Sequence, residues 1–406
     1  MSEKYLGENI PKLGFGLMRL PRKSNGASAN PMGGEIDIEH VKQMVDYFLD
    51  NGYTYFDTAF VYDGSEEAAR EALVKRHPRD KYTLASKLNL NAMMGGSPFA
   101  PATNPPSVED GKKKLEEQFA TTLSRLGTDY LDFYLLHGLN GPAMENVYKY
   151  GALDFIQKLK AEGKVRHCGF SFHGTPEDLD MILSKHPELE FVQLQLNYID
   201  WEGDVRAREL YETARKHNTP IVVMEPIKGG TLANDASVFA KYFKSIAPDV
   251  TPASYALRYV AELEGILTIL SGMSEMSHMT DNVNTFNNRK PFTDEDRKAI
   301  AAAVESINSV PSVPCTSCNY CKVCPQNIPI PGLMALYNDY LVYGQINRMR
   351  YNGLMGQGRG PAPAADPKAP PPGKPSDCVS CLLCEGECPQ QIGISDLMKK
   401  IADLVG

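Results

Sequence analysis

YLDFYLLHG, residues 130–138, is nine residues long, apolar at adjacent as well as alternate positions, and carries a histidine one residue before its end. A run of that length that is apolar on both faces fits a strand covered on both sides, as in a parallel sheet. Seven further runs share this character: KLGFGLM (12–18), YTYFDTA (53–59), YTLASKL (82–88), VRHCGFSF (165–172), FVQLQLNY (191–198), PIVVMEPI (220–227) and GILTILSG (265–272). Between most of them lie segments of helical periodicity, such as IEHVKQMVDYFLDN, whose apolar stripe predicts a barrel-facing helix. Eight such units predict an α/β fold, a (β/α)8 TIM barrel over residues 1–290. The competing open doubly wound sheet requires a glycine-rich fingerprint after its first strand, and none is present. Residues 91–107 and 138–151 follow the third and fourth strands and read as long loops at the C-terminal face, candidate walls of a substrate pocket.

Residues 291–406 have a different character. Eight of the nine cysteines lie here, in CTSCNYCKVCP (315–325) and CVSCLLCEGECP (378–389). Three cysteines at three-residue intervals, then a fourth followed by proline, is the spacing of bacterial ferredoxin ligands, where the fourth cysteine serves the other run's cluster. The spacing predicts a small α-helical, ferredoxin-like domain. Its two [4Fe-4S] clusters would be held by Cys315, Cys318, Cys321 and Cys388, and by Cys324, Cys378, Cys381 and Cys384. The first run has two residues before its fourth cysteine and the second has three, so the crossed assignment stays open. Zinc ribbons use pairs rather than triplets, and disulfides need an exported chain. CPQNIPIPGLM (324–334) and CPQQIGISDLM (388–398) repeat without a gap at an offset of 64, which points to pseudo-symmetry. A helix is expected over 294–309 and another over 333–349, and GQGRGPAPAADPKAPPPGKPSD (356–377) reads as an extended connector.

The whole chain has 406 residues, 42% apolar and 23% charged, with a net charge of −8. That balance argues against nucleic acid as a partner. No apolar run is long enough for a bilayer, and the N-terminal residues lack a signal peptide's apolar core. The expected location is cytoplasmic, and oxygen-sensitive clusters suggest an anaerobic host.

Asp57 and Tyr62 follow the second strand, Lys87 ends the third and His137 ends the fourth, so one barrel face can gather all four. Chemically the set is coherent. A lysine ammonium lowers a tyrosine's pKa, an aspartate keeps the lysine charged, and the tyrosine gives a proton to a carbonyl oxygen that the histidine polarises. Taken singly, each also reads as a loop cap, a strand-end charge or a core histidine.

GFGLMRLP, FDTAFVYDGSE, ASKLN, YLLHG, GFSFHG, FVQLQLNYID, MEPIKGG and SGMSEMSHMTDN occur in this order over the barrel region. In these motifs the chain resembles the aldo-keto reductases, specifically the branch with a C-terminal ferredoxin-like domain. The resemblance implies that Asp57, Tyr62, Lys87 and His137 are the catalytic tetrad, and that NADPH or NADH binds at the C-terminal face. It assigns Ser171 and Gln193 to the carboxamide, Met224 to the nicotinamide face, and the stretch Gly272–Asn282, with Ser274, to the pyrophosphate and adenosine. Asn282 would meet adenine. Phe172 replaces a common asparagine, Met224 replaces a stacking aromatic, and His278 is the only basic residue near the adenosine 2′ position, which leaves NAD against NADP open.

A nicotinamide gives two electrons as hydride and a [4Fe-4S] cluster moves one, which a flavin would reconcile. Three readings follow. The first is a carbonyl reductase with clusters that are structural, transfer electrons or contact a redox protein partner. The second is a flavin or redox substrate in the barrel fed by the clusters. The third is an electron-transfer module with a vestigial barrel. Trp201 walls the pocket or caps the barrel, Cys168 is a small core residue, and Arg19 meets an anionic substrate or pairs with a carboxylate.

Overall fold

The computed structural model describes residues 6, 9–23, 35–95, 104–203, 205–315, 318–356, 371–388 and 390–406. Parts of the expected loop 91–107 and of the connector 356–377 lie outside them.

Eight parallel strands close on themselves in sequence order. They are β1 (Leu13–Gly16), β2 (Tyr55–Asp57), β3 (Thr83–Leu88), β4 (Leu131–Leu139), β5 (Val165–Phe172), β6 (Phe191–Gln195), β7 (Ile221–Met224) and β8 (Ile266–Ser271), with β8 pairing back to β1. Each lies within, or within one residue of, a run picked out by its two-sided apolar character. Tyr55, Ala85, Phe133, Leu135, Phe191 and Val222 form one buried cluster that fills the barrel. Phe56, Leu84, Tyr134, Leu136, Val192 and Val223 belong to a second cluster shared with the surrounding helices. Successive strand side chains point to opposite faces, so these two sets alternate. Gly169 on β5 lets Phe191 into the barrel interior: a Cβ there would lie 2.5 Å from the Phe191 carbonyl oxygen and 2.6 Å from its ring.

The helix Ile38–Asp50 buries Val41, Met44, Val45 and Phe48, and Asp37 caps it by accepting from the His40 amide at 3.1 Å. The expected loop 138–151 is largely a helix, Ala143–Tyr150. Met144, Val147 and Tyr150 are buried at helical spacing, and that short stripe decides the segment.

The chain divides into two compact units, and residues 234–252 group with the second, beside 295–406. There Asn234 Nδ2 donates to the Tyr343 carbonyl at 2.9 Å and the Val238 amide donates to that of Val342 at 3.3 Å. The helices Ile330–Tyr343 and Ile394–Val405 begin 64 residues apart, at the offset of the sequence repeat. Ile328, Ile330 and Met334 and their repeat mates Ile392, Ile394 and Met398 pack in one core with Cys321 and Cys384. The helix expected over 333–349 breaks at Gly344, where φ is +69°, and a second one runs over Arg348–Leu354. No helix among the described residues is long and apolar enough to cross a membrane.

Candidate functional site

Strand alternation builds the polar layer of the barrel. Two residues beyond the inward Tyr55 is Asp57, beyond Ala85 is Lys87, beyond Leu135 is His137, beyond Phe191 is Gln193 and beyond Val222 is Met224. One face of the closed sheet therefore carries apolar side chains low down and chemistry-bearing ones at its C-terminal end. Ser171 pairs in register with Gln193, one step around the barrel.

Asp57 and Lys87 are buried, at 3% and 0% exposure. Lys87 Nζ donates to Asp57 Oδ1 at 2.5 Å and to the Thr58 carbonyl at 2.8 Å, and lies 3.5 Å from Tyr62 OH. The rings of Tyr62 and His137 meet edge to face at 5.8 Å. The structure thus brings Asp57, Tyr62, Lys87 and His137 together. Aiming His137 takes a local device: the β4–β5 register shifts between Leu136 and Leu139. Gly138 adopts φ +70°, and its amide donates to Ser171 Oγ at 2.8 Å. Such irregularities re-aim side chains next to sites.

Burial works to lower the pKa of the Lys87 ammonium, but Asp57 and Tyr62 outweigh it and the value lies above the usual range. Tyr62 departs from expectation. Burial raises its pKa above the usual phenol range, and Lys87 pulls against that shift without reversing it. The expected direction of the lysine's effect is right. The net direction is not, because removal of water penalises the phenolate more than one ammonium at 3.5 Å relieves it. His137 lies well below the usual imidazole range, first through burial and then through the charges of Lys87 and His173, so its ring is neutral. Its Nδ1 is buried with no partner, as is Gln193 Oε1.

The other expected cofactor residues are spread around the same strand ends. Met224 ends β7 half-buried. Gly272 and His278 are exposed, and His278 stands on the helix Met276–Asn287. Ser274 Oγ donates to the Arg19 carbonyl at 2.6 Å, and buried Asn282 donates through Nδ2 to Ser271 Oγ at 2.8 Å. Arg19 pairs with a carboxylate: Nη2 is 3.7 Å from Glu225 Oε1, and Nη1 donates to the Gly229 carbonyl at 2.6 Å. Trp201 is half-buried against Tyr211 and Tyr259. Cys168 is buried, its thiol pushed up to about 12.

Sequence reasoning passed over Glu225. Its carboxylate acts on both Tyr62 and His173. Its backbone sits at φ +53°, unusual for a residue with a side chain. Buried Asn197 holds that turn, donating to the Glu225 carbonyl at 3.1 Å, while Asp200 takes Lys228 Nζ at 2.5 Å. Glu225 directly follows Met224 in MEPIKGG, but nothing in that motif signals a left-handed backbone.

The second unit holds two cavities lined by cysteines. One is lined by Cys315, Cys318, Cys321 and Cys388. The other is lined by Cys324, Cys378, Cys381 and Cys384. All eight cysteines are free of disulfides. Among the described residues no three His, Cys, Asp or Glu side chains converge tightly enough for a single metal ion.

A closed eight-stranded parallel barrel with ionisable groups gathered at its C-terminal end defines a (β/α)8-barrel enzyme. Residues 12–305 match the model of the aldo/keto reductase family, and the chain belongs to that family; it is an oxidoreductase of the aldo-keto reductase type. The match ends before the first cysteine run. The chain is 23% identical over 326 residues to an uncharacterized oxidoreductase of Bacillus subtilis, YqkF, covering 74% of this chain and 95% of that protein. It is 28% identical over 255 residues to an aldo-keto reductase of Mycolicibacterium vanbaalenii, covering 62% and 80%. Among solved structures, its fold is similar to a holo-form aldo-keto reductase from Bacillus halodurans, with TM-score 0.53, 24% identity and coverage of 73% of this chain and 93% of that one. It is also similar to a Klebsiella pneumoniae aldo-keto reductase in complex with NADPH, with TM-score 0.54, 23% identity and coverage of 72% and 90%.

Proposed function

We propose that this protein reduces an aldehyde or ketone with hydride from a nicotinamide dinucleotide, with Tyr62 as the proton donor. The observation that carries the reading is the buried Lys87, 2.5 Å from Asp57 Oδ1 and 3.5 Å from Tyr62 OH at the polar end of the barrel. Dinucleotide binding is extended to this chain from the Klebsiella structure and from the similar NADPH-dependent α-keto amide reductase of Saccharomyces cerevisiae, 24% identical over 259 residues, with 61% of this chain and 74% of that protein covered. The residues present suit it: the unpartnered, buried Gln193 Oε1 can accept from a carboxamide NH2 beside Ser171.

When bound, the dinucleotide supplies hydride to the carbonyl carbon. The chain's own residues handle the oxygen. Tyr62 donates its hydroxyl proton to the carbonyl oxygen as charge builds there, and Lys87, kept charged by Asp57, stabilises the phenolate left behind. His137 is neutral, so it offers that oxygen a hydrogen bond rather than competing as the acid. Within 272–282 His278 is the only basic side chain, so NADH and NADPH should bind within about a hundredfold of each other, roughly 2.7 kcal/mol.

Tyr62→Phe tests the reading on a panel of aldehydes, ketones and quinones. The rate should fall by at least the ~10²–10⁴-fold that a lost general acid costs, with fold and iron content unchanged. Equal rates for wild type and variant on a good substrate would remove Tyr62 from the mechanism.

For residues 291–406 the proposal is a ferredoxin-like domain with two [4Fe-4S] clusters, one in each cysteine cavity. The cavities support it, because each offers four thiols in an otherwise largely apolar lining, the donor set of such a cluster. A single ion needs its sulfur ligands within about 2.3 Å of one point, while a cubane spreads them further. Anaerobic protein should contain roughly eight iron atoms and eight labile sulfides. Cys388→Ser should damage the cluster of Cys315, Cys318 and Cys321. Stoichiometric zinc without sulfide would overturn the reading.

A further inference from the structure

We propose that the second cysteine run forms a docking face for a small one-electron redox protein with a basic rim. This rests on the proposed cluster reading and names the partner of that site. The two runs match in backbone at one position. Asn319 and Leu382, each after the second cysteine of its run, hold left-handed conformations with φ +66° and +61°. The residues that follow, Tyr320 and Leu383, point outward at 60% and 55% exposure.

Beyond that equivalence the runs differ in two ways. Val379 and Leu382 line the cavity of Cys324, Cys378, Cys381 and Cys384, and the same side chains are 61% and 52% exposed. Val379 and Leu382 therefore stand between part of that cavity and solvent, beside the exposed Cys381. The other cavity has Asn319 at the place of Leu382, and among the described residues no exposed large apolar side chain lines it, although Val323 of that run is 48% exposed elsewhere. Charge also divides them. From Ser306 to Asn338 the only charged residue is Lys322, whereas the matching span 370–402 carries Asp377, Glu385, Glu387 and Asp396 against Lys374, Lys399 and Lys400, and within the run itself both charges are acidic. Glu385 is tied to Ser395, accepting from its amide and its hydroxyl at 2.7 Å. Asp377 and Glu387 are exposed.

Val379, Leu382 and Leu383 are thus exposed aliphatic side chains in a run that also carries Glu385 and Glu387. Apolar contact with a complementary charged rim is the chemistry of fast, weak association. The rim selects a basic partner, and it disfavours a second copy docking face to face, because like charges would meet. One electron passes between the group held in the cavity and the partner's own redox centre; no bond forms or breaks and no proton moves.

The test uses anaerobic holoprotein, with cytochrome c as a basic one-electron probe and flavodoxin as an acidic one. Cytochrome c should bind in a calorimetric titration, and binding should weaken as salt rises to about 0.3 M. Leu382→Ser combined with Leu383→Ser should weaken it tenfold or more. Glu387→Lys, a surface change that leaves the cavity lining intact, should weaken it severalfold and flatten the salt dependence. Tyr320→Ser in the first run should leave it unchanged. Iron and sulfide are assayed in every variant, so loss of clusters is separated from loss of docking. Wild type without iron and sulfide sinks the cluster reading. Clusters present with no cytochrome c binding, equal binding by the variants, or preference for flavodoxin overturns the docking face.

Discussion

The barrel mouth and the cysteine loops solve opposite problems. At the mouth a charged lysine is held at 0% exposure by a closed sheet that fixes Asp57 and Tyr62 around it. In the cysteine runs, Cys318 and Cys381 are exposed, and aliphatic side chains stand in water. The first region is pre-organised by strand register and should keep its geometry with nothing bound. The second has a small core of isoleucine, leucine and methionine around two cavities, and its order should depend on what fills them.

The largest expected effect follows from that contrast. On the proposed cluster reading, chelating iron should melt the second unit while the barrel persists, because cluster binding would be coupled to folding. Limited proteolysis should then cut within 295–406 and spare the barrel. A chelated protein that resists cleavage throughout would make the two regions alike.

The next effect lies in the barrel. Lys87→Met leaves Asp57 buried without its partner and should destabilise the barrel by about 3–5 kcal/mol in denaturant unfolding. Disrupting the exposed pair Lys75–Glu71 should cost far less, because water screens both charges. Equal costs would mean that water reaches Lys87 after all.

The pH profile sharpens the same point. A donor tyrosine must be protonated, and the pKa of Tyr62 is raised above its ordinary value of 10.0. Carbonyl reduction should therefore hold to higher pH than an ordinary phenol would allow, as far as Tyr62 is concerned. Lys87→Met removes a lowering influence and should push that limit still higher. A break near pH 8 would show that the phenol is far better solvated than its burial implies.

The smallest effect tests the device that aims His137. Gly138→Ala places a side chain at φ +70° and should cost about 1–2 kcal/mol, with a fall in kcat. Unchanged activity would show that the β4 irregularity does not matter for the site.

Much of this is visible in the chain. The strands were legible because residues buried on two faces leave little room for polar ones. Lys87 and His137 were legible as strand ends, but their grouping with Asp57 and Tyr62 also leaned on family resemblance. The helix Ala143–Tyr150 was missed because eight residues of mixed polarity after a turn resemble a loop. The left-handed turn at Glu225 was missed because it is imposed from outside, by Asn197 on its carbonyl and Asp200 on Lys228.

The sequence by itself determined which residues are buried in strands, where the thiols lie along the chain, and that the C-terminal part repeats. These are properties of near neighbours, carried by side-chain period and spacing. Only the tertiary structure decided which fourth cysteine shares which cavity, where the β4 irregularity aims His137, and that burial outweighs Lys87 in setting the proton affinity of Tyr62. Each of those depends on distances between residues far apart in the chain and on how much water the fold removes, and neither quantity is written in residue order.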